Sequence, residues 1–154
     1  VASSGSTEAE AWLLQQGARR VIGRNDIGDR PDRVLGSERW AGSIDCVGGE
    51  TLHQVLRTLQ YGAAVAASGL VASADLATTV YPFITRNVAL LGIDAVQAGA
   101  RTRSATWSLA AQKISGRDIE GLVDSTVGLE GVRDALEIID RGATRGRILV
   151  QVNG

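Results

Sequence analysis

Five short apolar segments recur along the first part of this chain, each ending in a turn of small or polar residues. Residues 1–4 run into Gly5, and 20–23 hold the β-branched pair Val21 and Ile22. Residues 42–49 end in Gly48-Gly49, 63–67 close on Ser68-Gly69, and 88–93 form the clearest strand pattern. Short strands of this kind, alternating with helical stretches, imply a mostly parallel sheet covered by helices on both faces. Between them, residues 8–16 start with acidic side chains behind Ser6 and Thr7, either of which can N-cap a helix. Trp12 and Leu13 are its candidate buried stripe, and Gly17 suits its C-terminus. Leu52, Val55, Leu56 and Leu59 share one helical face over 51–59, with Gly62 as the expected stop.

The remaining stretches are plainer. Residues 25–37, rich in Asp and Arg and carrying Pro31, read as a surface loop; 70–79 is a loop and 80–86 a short helix despite Pro82. After Ile93 the pattern changes to a polar helix over 101–114 containing Trp107, then a strand over 122–127. An amphipathic helix over 129–141, using Val132, Leu136 and Ile139, leads to a last strand over 148–152.

Composition removes several function classes. Sixteen basic residues against seventeen acidic ones leave a net charge of −1, without the basic excess that binding nucleic acid requires. No apolar run reaches the roughly 18 residues of a membrane-spanning helix, and no secretory leader is visible. A single cysteine, Cys46, excludes an internal disulfide framework and fits a reducing compartment, so a cytoplasmic location is expected. Methionine is absent and the sequence opens on Val1, so a processed chain or part of a longer one is expected.

In parallel α/β sheets, ligands sit outside the carboxyl ends of the strands. The turns at 3–7, 23–25, 45–49, 68–70 and 93–95 together favour a nucleotide site. The first of them, Ser3-Ser4-Gly5-Ser6, lacks the carboxylate that takes the ribose 2′-hydroxyl of NAD. Its hydroxyls and a helix start can receive a 2′-phosphate, with Arg24 supplying charge, which favours NADPH. The competing reading has Ser4 and Ser6 capping a helix and Arg24 solvated. His53 lacks metal-ligating or catalytic companions, and Cys46 reads as a small buried hydrophobe. Asp45 and Asp94 fit turn-capping better than ligand binding, and no residue set has zinc spacing.

One family carries these segments in the same order. The run Arg39-Trp40-Ala41-Gly42-Ser43-Ile44-Asp45-Cys46-Val47-Gly48-Gly49 is followed by Tyr61-Gly62-Ala63-Ala64-Val65-Ala66-Ala67-Ser68-Gly69-Leu70. Then come Thr78-Thr79-Val80-Tyr81-Pro82-Phe83-Ile84, Arg86-Asn87-Val88 and Leu91-Gly92-Ile93-Asp94. The chain resembles, over residues 1–153, the acryloyl-CoA reductase or quinone oxidoreductase-like type of the medium-chain dehydrogenase/reductase superfamily, in its zinc-independent branch. The resemblance implies a Rossmann-like, mostly parallel sheet flanked by helices over 1–115. It also implies a C-terminal segment, 116–154, whose helix and strand return to the family's catalytic domain. It further implies NADPH-dependent reduction of the carbon–carbon double bond of a 2-enoyl-CoA, acryloyl-CoA giving propionyl-CoA, or of a quinone-like substrate. Carried over by position, the cofactor contacts are Ser4, Gly5, Ser6, Arg24, Leu70, Ile84 and Ala95; no catalytic residue is assigned and no metal is expected. The family often has arginine where Ser6 stands and serine where Ala95 stands.

Relatives are about twice this length by resemblance, and the central first strand with its glycine-rich pyrophosphate turn has no counterpart in the sequence. Its absence would leave two strands with unpaired inner edges. An inactive fragment, an exchange of elements between two copies, or a collapsed sheet would each answer that. The resemblance also implies a homodimer through the strand at 88–93. The reading from another class is a non-catalytic nucleotide-binding or dimerisation module.

Overall fold

The computed structural model describes residues 1–30 and 32–152, apart from the side chain of residue 117; Pro31, named above, and residues 153–154 of the expected C-terminal segment lie outside them. Contacts divide the chain into two compact units, Val1–Leu14 with Ala18–Ala98, and Gln15–Gly17 with Gly99–Gly154.

The first unit holds five strands, β1 (Ala2–Ser4), β2 (Val21–Gly23), β3 (Ser43–Asp45), β4 (Ala64–Ala67) and β5 (Ala89–Gly92), with helices α1 (Glu10–Gln15, all but its last residue), α2 (Gly49–Thr58) and α3 (Tyr81–Arg86). All pairings are parallel. β1 pairs with β2, placing Ser4 opposite Gly23, while β3, β4 and β5 form a second sheet in that order. Parallel pairing follows from the helices and long connections between successive strands. β1 and β3 do not pair with each other, so the collapsed-sheet expectation fails.

The core of this unit is the stripe read from the sequence. Leu52, Val55 and Leu56 of α2 are buried and meet Leu59, Val65, Ala63, Val88 and Ile27. Gly62, expected above to end α2, does not. The helix stops at Thr58, and Leu59 turns extended to bridge Trp40. The backbone N–H groups of Arg39 and Trp40 both donate to the Thr58 carbonyl, at 2.8 and 3.2 Å, so the last turn of α2 satisfies a crossing strand rather than more helix. Gly62 instead takes φ +74° in the turn into β4.

Gly17, at φ +96°, closes α1 as expected, and the Ala18 N–H returns to the Leu13 carbonyl at 3.0 Å. The helix itself is shorter than read, because residues 7–9 form a 3-10 turn first. Ser6 stands at the N-cap position of that turn but makes no side-chain cap bond. Trp12 and Leu13 are only half-buried. The 25–37 segment is not merely a solvated loop: Ile27 is core, and three arginines hold its carbonyls, as described below.

The second unit holds α4 (Ala100–Lys113), α5 (Gly116–Glu120), β6 (Val123–Gly128), α6 (Val132–Asp140) and β7 (Arg147–Gln151). α5 has no counterpart in the sequence reading; Ser115 and Asp118 start it by bonding each other's side chain and backbone, at 2.8 Å from the Ser115 N–H. β6 and β7 pair in parallel as a separate two-stranded sheet across α6. The expected buried stripe of α6 is not covered among the described residues: Ala135 is buried, whereas Leu136 and Ile139 are exposed. No helix among the described residues is long and apolar enough to cross a membrane.

Candidate functional site

The turn after β1 is built from hydroxyls and one glycine. Ser4 Oγ accepts from the Ser6 N–H and donates to the Ser6 carbonyl, both at 3.0 Å, which folds the turn onto itself. Directly beside it, β2 ends in Gly23 and a 3-10 turn over Arg24–Asp26. Asp26 Oδ2 accepts from the Gly23 N–H at 3.2 Å and closes that turn. The register that sets Ser4 against Gly23 thereby brings Arg24 to Gly5. The Arg24 guanidinium lies over Gly5, its Cζ 3.2 Å from where a Cβ on residue 5 would stand. Arg24 is exposed and makes no hydrogen bond or ion pair among the described residues. A cation without a carboxylate partner, held over a turn of hydroxyls, can receive a phosphate.

The ends of β3 and β4 are locked together by backbone. Asp45 is buried, and its Oδ2 accepts from the Val47 and Gly48 N–H groups at 3.3 and 2.8 Å, so its role is turn-capping as the sequence suggested. Ser68 N–H donates to the Asp45 carbonyl at 2.8 Å, and a Cβ on Gly69 would stand 2.5 Å from the Cys46 carbonyl oxygen. Cys46, expected buried, is exposed, with its sulfur 3.4 Å from Ser68 Oγ. The short β3 ends before it, so its side chain faces the cleft rather than the core. His53 is half-buried, its Nδ1 3.2 Å from Thr78 Oγ1. Asp94 Oδ1 takes the Val96 and Gln97 N–H groups at 2.8 and 3.1 Å, again a turn cap.

Of the seven expected cofactor contacts, the structure gathers Ser4, Gly5, Ser6 and Arg24 at adjoining turns. Leu70 follows β4 and is exposed, with its Cα close to Gly48; Ile84 is exposed on α3; Ala95 lies in the turn after β5. What the sequence reading missed is the support behind Arg24, from Arg39 and Trp40, whose signal was an Arg-Trp pair ending a polar loop.

Between β1 and β3 lies a cleft of about 680 Å³ lined by residues 1–3 on one side and 42–47 on the other. Ile44, in the middle of β3, is 81% exposed there. Each of these strands is paired on one edge only, so the cleft runs between two unpaired strand edges. The strand order across the unit is thus β2-β1, the cleft, then β3-β4-β5. A parallel α/β unit with small-residue turns at the carboxyl ends of its strands is the kind of fold in which dinucleotides bind.

Known proteins show a more particular likeness. No protein-family profile matches the chain. It is 40% identical over 152 residues to YhfP of Bacillus subtilis, whose name assigns it to the quinone oxidoreductases, and 37% identical over 152 residues to the acrylyl-CoA reductase AcuI of Ruegeria pomeroyi. Each match takes in 99% of this chain but 46% of the relative, so the chain spans about half the length of the curated relatives it matches. The crystal structure of YhfP with NAD bound superposes at a TM-score of 0.91 with 39% identity, covering 97% of this chain and 46% of that one. That of Escherichia coli YhdH with bound NADPH superposes at 0.91 with 34% identity, covering 98% and 46%. Over nearly all of its length the chain is thus similar to about half of oxidoreductases of the acrylyl-CoA reductase and quinone oxidoreductase type, and it shares the mostly parallel α/β fold of that half.

Proposed function

We propose that this chain is the cofactor-binding part of an NADPH-dependent reductase of the carbon–carbon double bond of a 2-enoyl-CoA, acryloyl-CoA giving propionyl-CoA, or of a quinone-like substrate. The observation that carries the cofactor is Arg24, unpaired and packed over Gly5 beside the Ser4 and Ser6 turn. These residues fit the 2′-phosphate of NADPH, and a relative's structure holds that cofactor. When bound, the nicotinamide supplies the hydride. Ser4, Gly5, Ser6, Arg24, Leu70, Ile84 and Ala95 are the cofactor contacts in this reading, and no catalytic residue is named.

Residues 1–115 are then the partial dinucleotide-binding domain, and 116–154 the segment that returns to a catalytic domain. The unpaired edges on either side of the cleft are the reason to expect that residues 1–154 alone bind NADPH weakly and turn over nothing. The exposed edge of β5 supports a homodimer, and the charge and cysteine usage a cytoplasmic enzyme.

The test is turnover by the full-length protein carrying this sequence, followed by loss of nicotinamide absorbance. Consumption of NADPH with acryloyl-CoA or a quinone, faster than that of NADH, is the expected result. No turnover with either substrate class and either cofactor sinks the reading.

A further inference from the structure

Arg24 stands on a short turn, and something must hold that turn in place. Its start is fixed by the pairing of Gly23 with Ser4. Its far end is held from outside. One nitrogen of Arg39, Nη1, donates to the carbonyls of Asp26, Ile27 and Gly28 at 2.9, 3.1 and 3.3 Å. Asp26 ends the Arg24–Asp26 turn, Ile27 is its C-cap, and Gly28 follows, so the bonds hold the exit of the turn. The Arg39 guanidinium also stacks on Trp40, 4.7 Å from the ring centroid, and Trp40 Nε1 donates to the Ile27 carbonyl at 3.2 Å. Both residues are pinned through their own N–H groups to the Thr58 carbonyl at the end of α2.

The same segment has two other arginine holds, and both lie elsewhere. Arg57 is 4% exposed and its Nη2 donates to the carbonyls of Arg30 and Arg33. Arg86 reaches the carbonyls of Gly36, Arg57 and Leu59 at 2.6, 2.9 and 3.3 Å. Of these arginine holds among the described residues, only that of Arg39, with Trp40, reaches the turn that carries Arg24.

We propose that Arg39, braced by Trp40, is the positioning residue that aims Arg24 at the 2′-phosphate, and so sets the preference for a 2′-phosphorylated nucleotide. This rests on the reading of Arg24 as the phosphate contact. A long side chain on an untethered turn samples many rotamers, and fixing its base reduces the ordering that binding must impose. All three carbonyl bonds come from one nitrogen, so a lysine ammonium, with three donors on one atom, can replace them.

The experiment measures, by calorimetry on the full-length protein, the ratio of affinities for adenosine 2′,5′-bisphosphate and 5′-AMP, with Tm recorded for each variant. Arg24→Met should abolish the preference. Arg39→Met should reduce it roughly three- to fivefold, with Arg39→Lys within about twofold of the parent. Trp40→Phe, which removes the indole N–H and keeps a ring, should reduce it in the same direction and serves if Arg39→Met does not fold. Arg86→Met should lower Tm and leave the ratio unchanged.

If Arg24→Met abolishes the preference while Arg39→Met, or Trp40→Phe in its place, leaves it intact, the positioning role is wrong and the phosphate contact stands. If Arg86→Met lowers the ratio as much as Arg39→Met, the effect is general loosening and the proposal is overturned. If Arg24→Met keeps the preference, the reading of Arg24 fails and takes the proposal with it.

Discussion

The guanidinium of Arg24 occupies the space a side chain on residue 5 would need, with Cζ 3.2 Å and Nε 3.3 Å from that Cβ position. Gly5 is therefore part of the cation's seat. Gly5→Ala should displace Arg24 by a few tenths of an ångström. It should weaken NADPH relative to NADH by about two- to fivefold, since an exposed charge contact is worth at most ~1 kcal/mol. Unfolding stability should move by no more than about 0.5 kcal/mol. Paired cofactor titrations and a urea melt check both figures.

Gly48 has φ +73°, and a Cβ there would run into the Ser73 carbonyl. The two residues also form a parallel bridge. Gly48→Ala should destabilise the first unit by about 1–3 kcal/mol, from left-handed strain and the displaced loop. The shift in the urea midpoint at constant slope measures it.

Leu56 is fully buried at the centre of the stripe that packs α2 on the sheet. Leu56→Ala should cost about 2–5 kcal/mol, the lost transfer energy plus the cavity left behind. A loss under 1 kcal/mol by the same denaturation would mean that this core collapses around the gap.

The Ser37 backbone N–H donates to Asp29 Oδ1 at 2.8 Å and, with the Ser37 hydroxyl, holds the carboxyl below its ordinary value of 3.8. Ser115 does the same for Asp118 through its hydroxyl and N–H. A lowered folded value favours the ionised form in the native state. The stabilisation is therefore complete above the unfolded pKa of about 3.9 and fades as pH falls through the folded value. Asp29→Asn should lower Tm near neutral pH, and the gap to the parent should close in acid. A gap that stays constant with pH would show that the carboxylate charge is irrelevant there.

β5 is the last strand of its sheet, with one edge unpaired and Leu90 37% exposed. In the dimer reading, Leu90→Lys places a charge on a joined edge and should halve the mass found by sedimentation. An unchanged mass would count against assembly through β5.

Much of the first unit was legible in the linear sequence because its signals are local. Val21 and Ile22, the 88–93 run, the 52-55-56 spacing and the positive-φ glycine at 17 each work through their own backbone or nearest turn. Asp45 and Asp94 were read as turn caps for the same reason: their partners lie two and three residues away. Helix ends were less legible. α2 stops where Trp40 crosses it, a partner 18 residues earlier that no local pattern announces.

The amino-acid sequence by itself determined the parallel α/β character, the order of the strands and of the helices other than α5, the buried stripe of α2 and the likeness to known proteins. Each depends on periodicity, turn chemistry or residue identity along the chain. Tertiary structure alone decided that Arg24 lies over Gly5, that Arg39 and Trp40 grip the turn beneath it, and that Cys46 faces a cleft. It also left Leu136 and Ile139 exposed and kept β1 apart from β3. The Arg24–Gly5 contact and the carbonyl bonds of Arg39 and Trp40 join residues 11 to 19 positions apart. Whether they form depends on how strands pair and what fills the space between them, which no window of sequence contains.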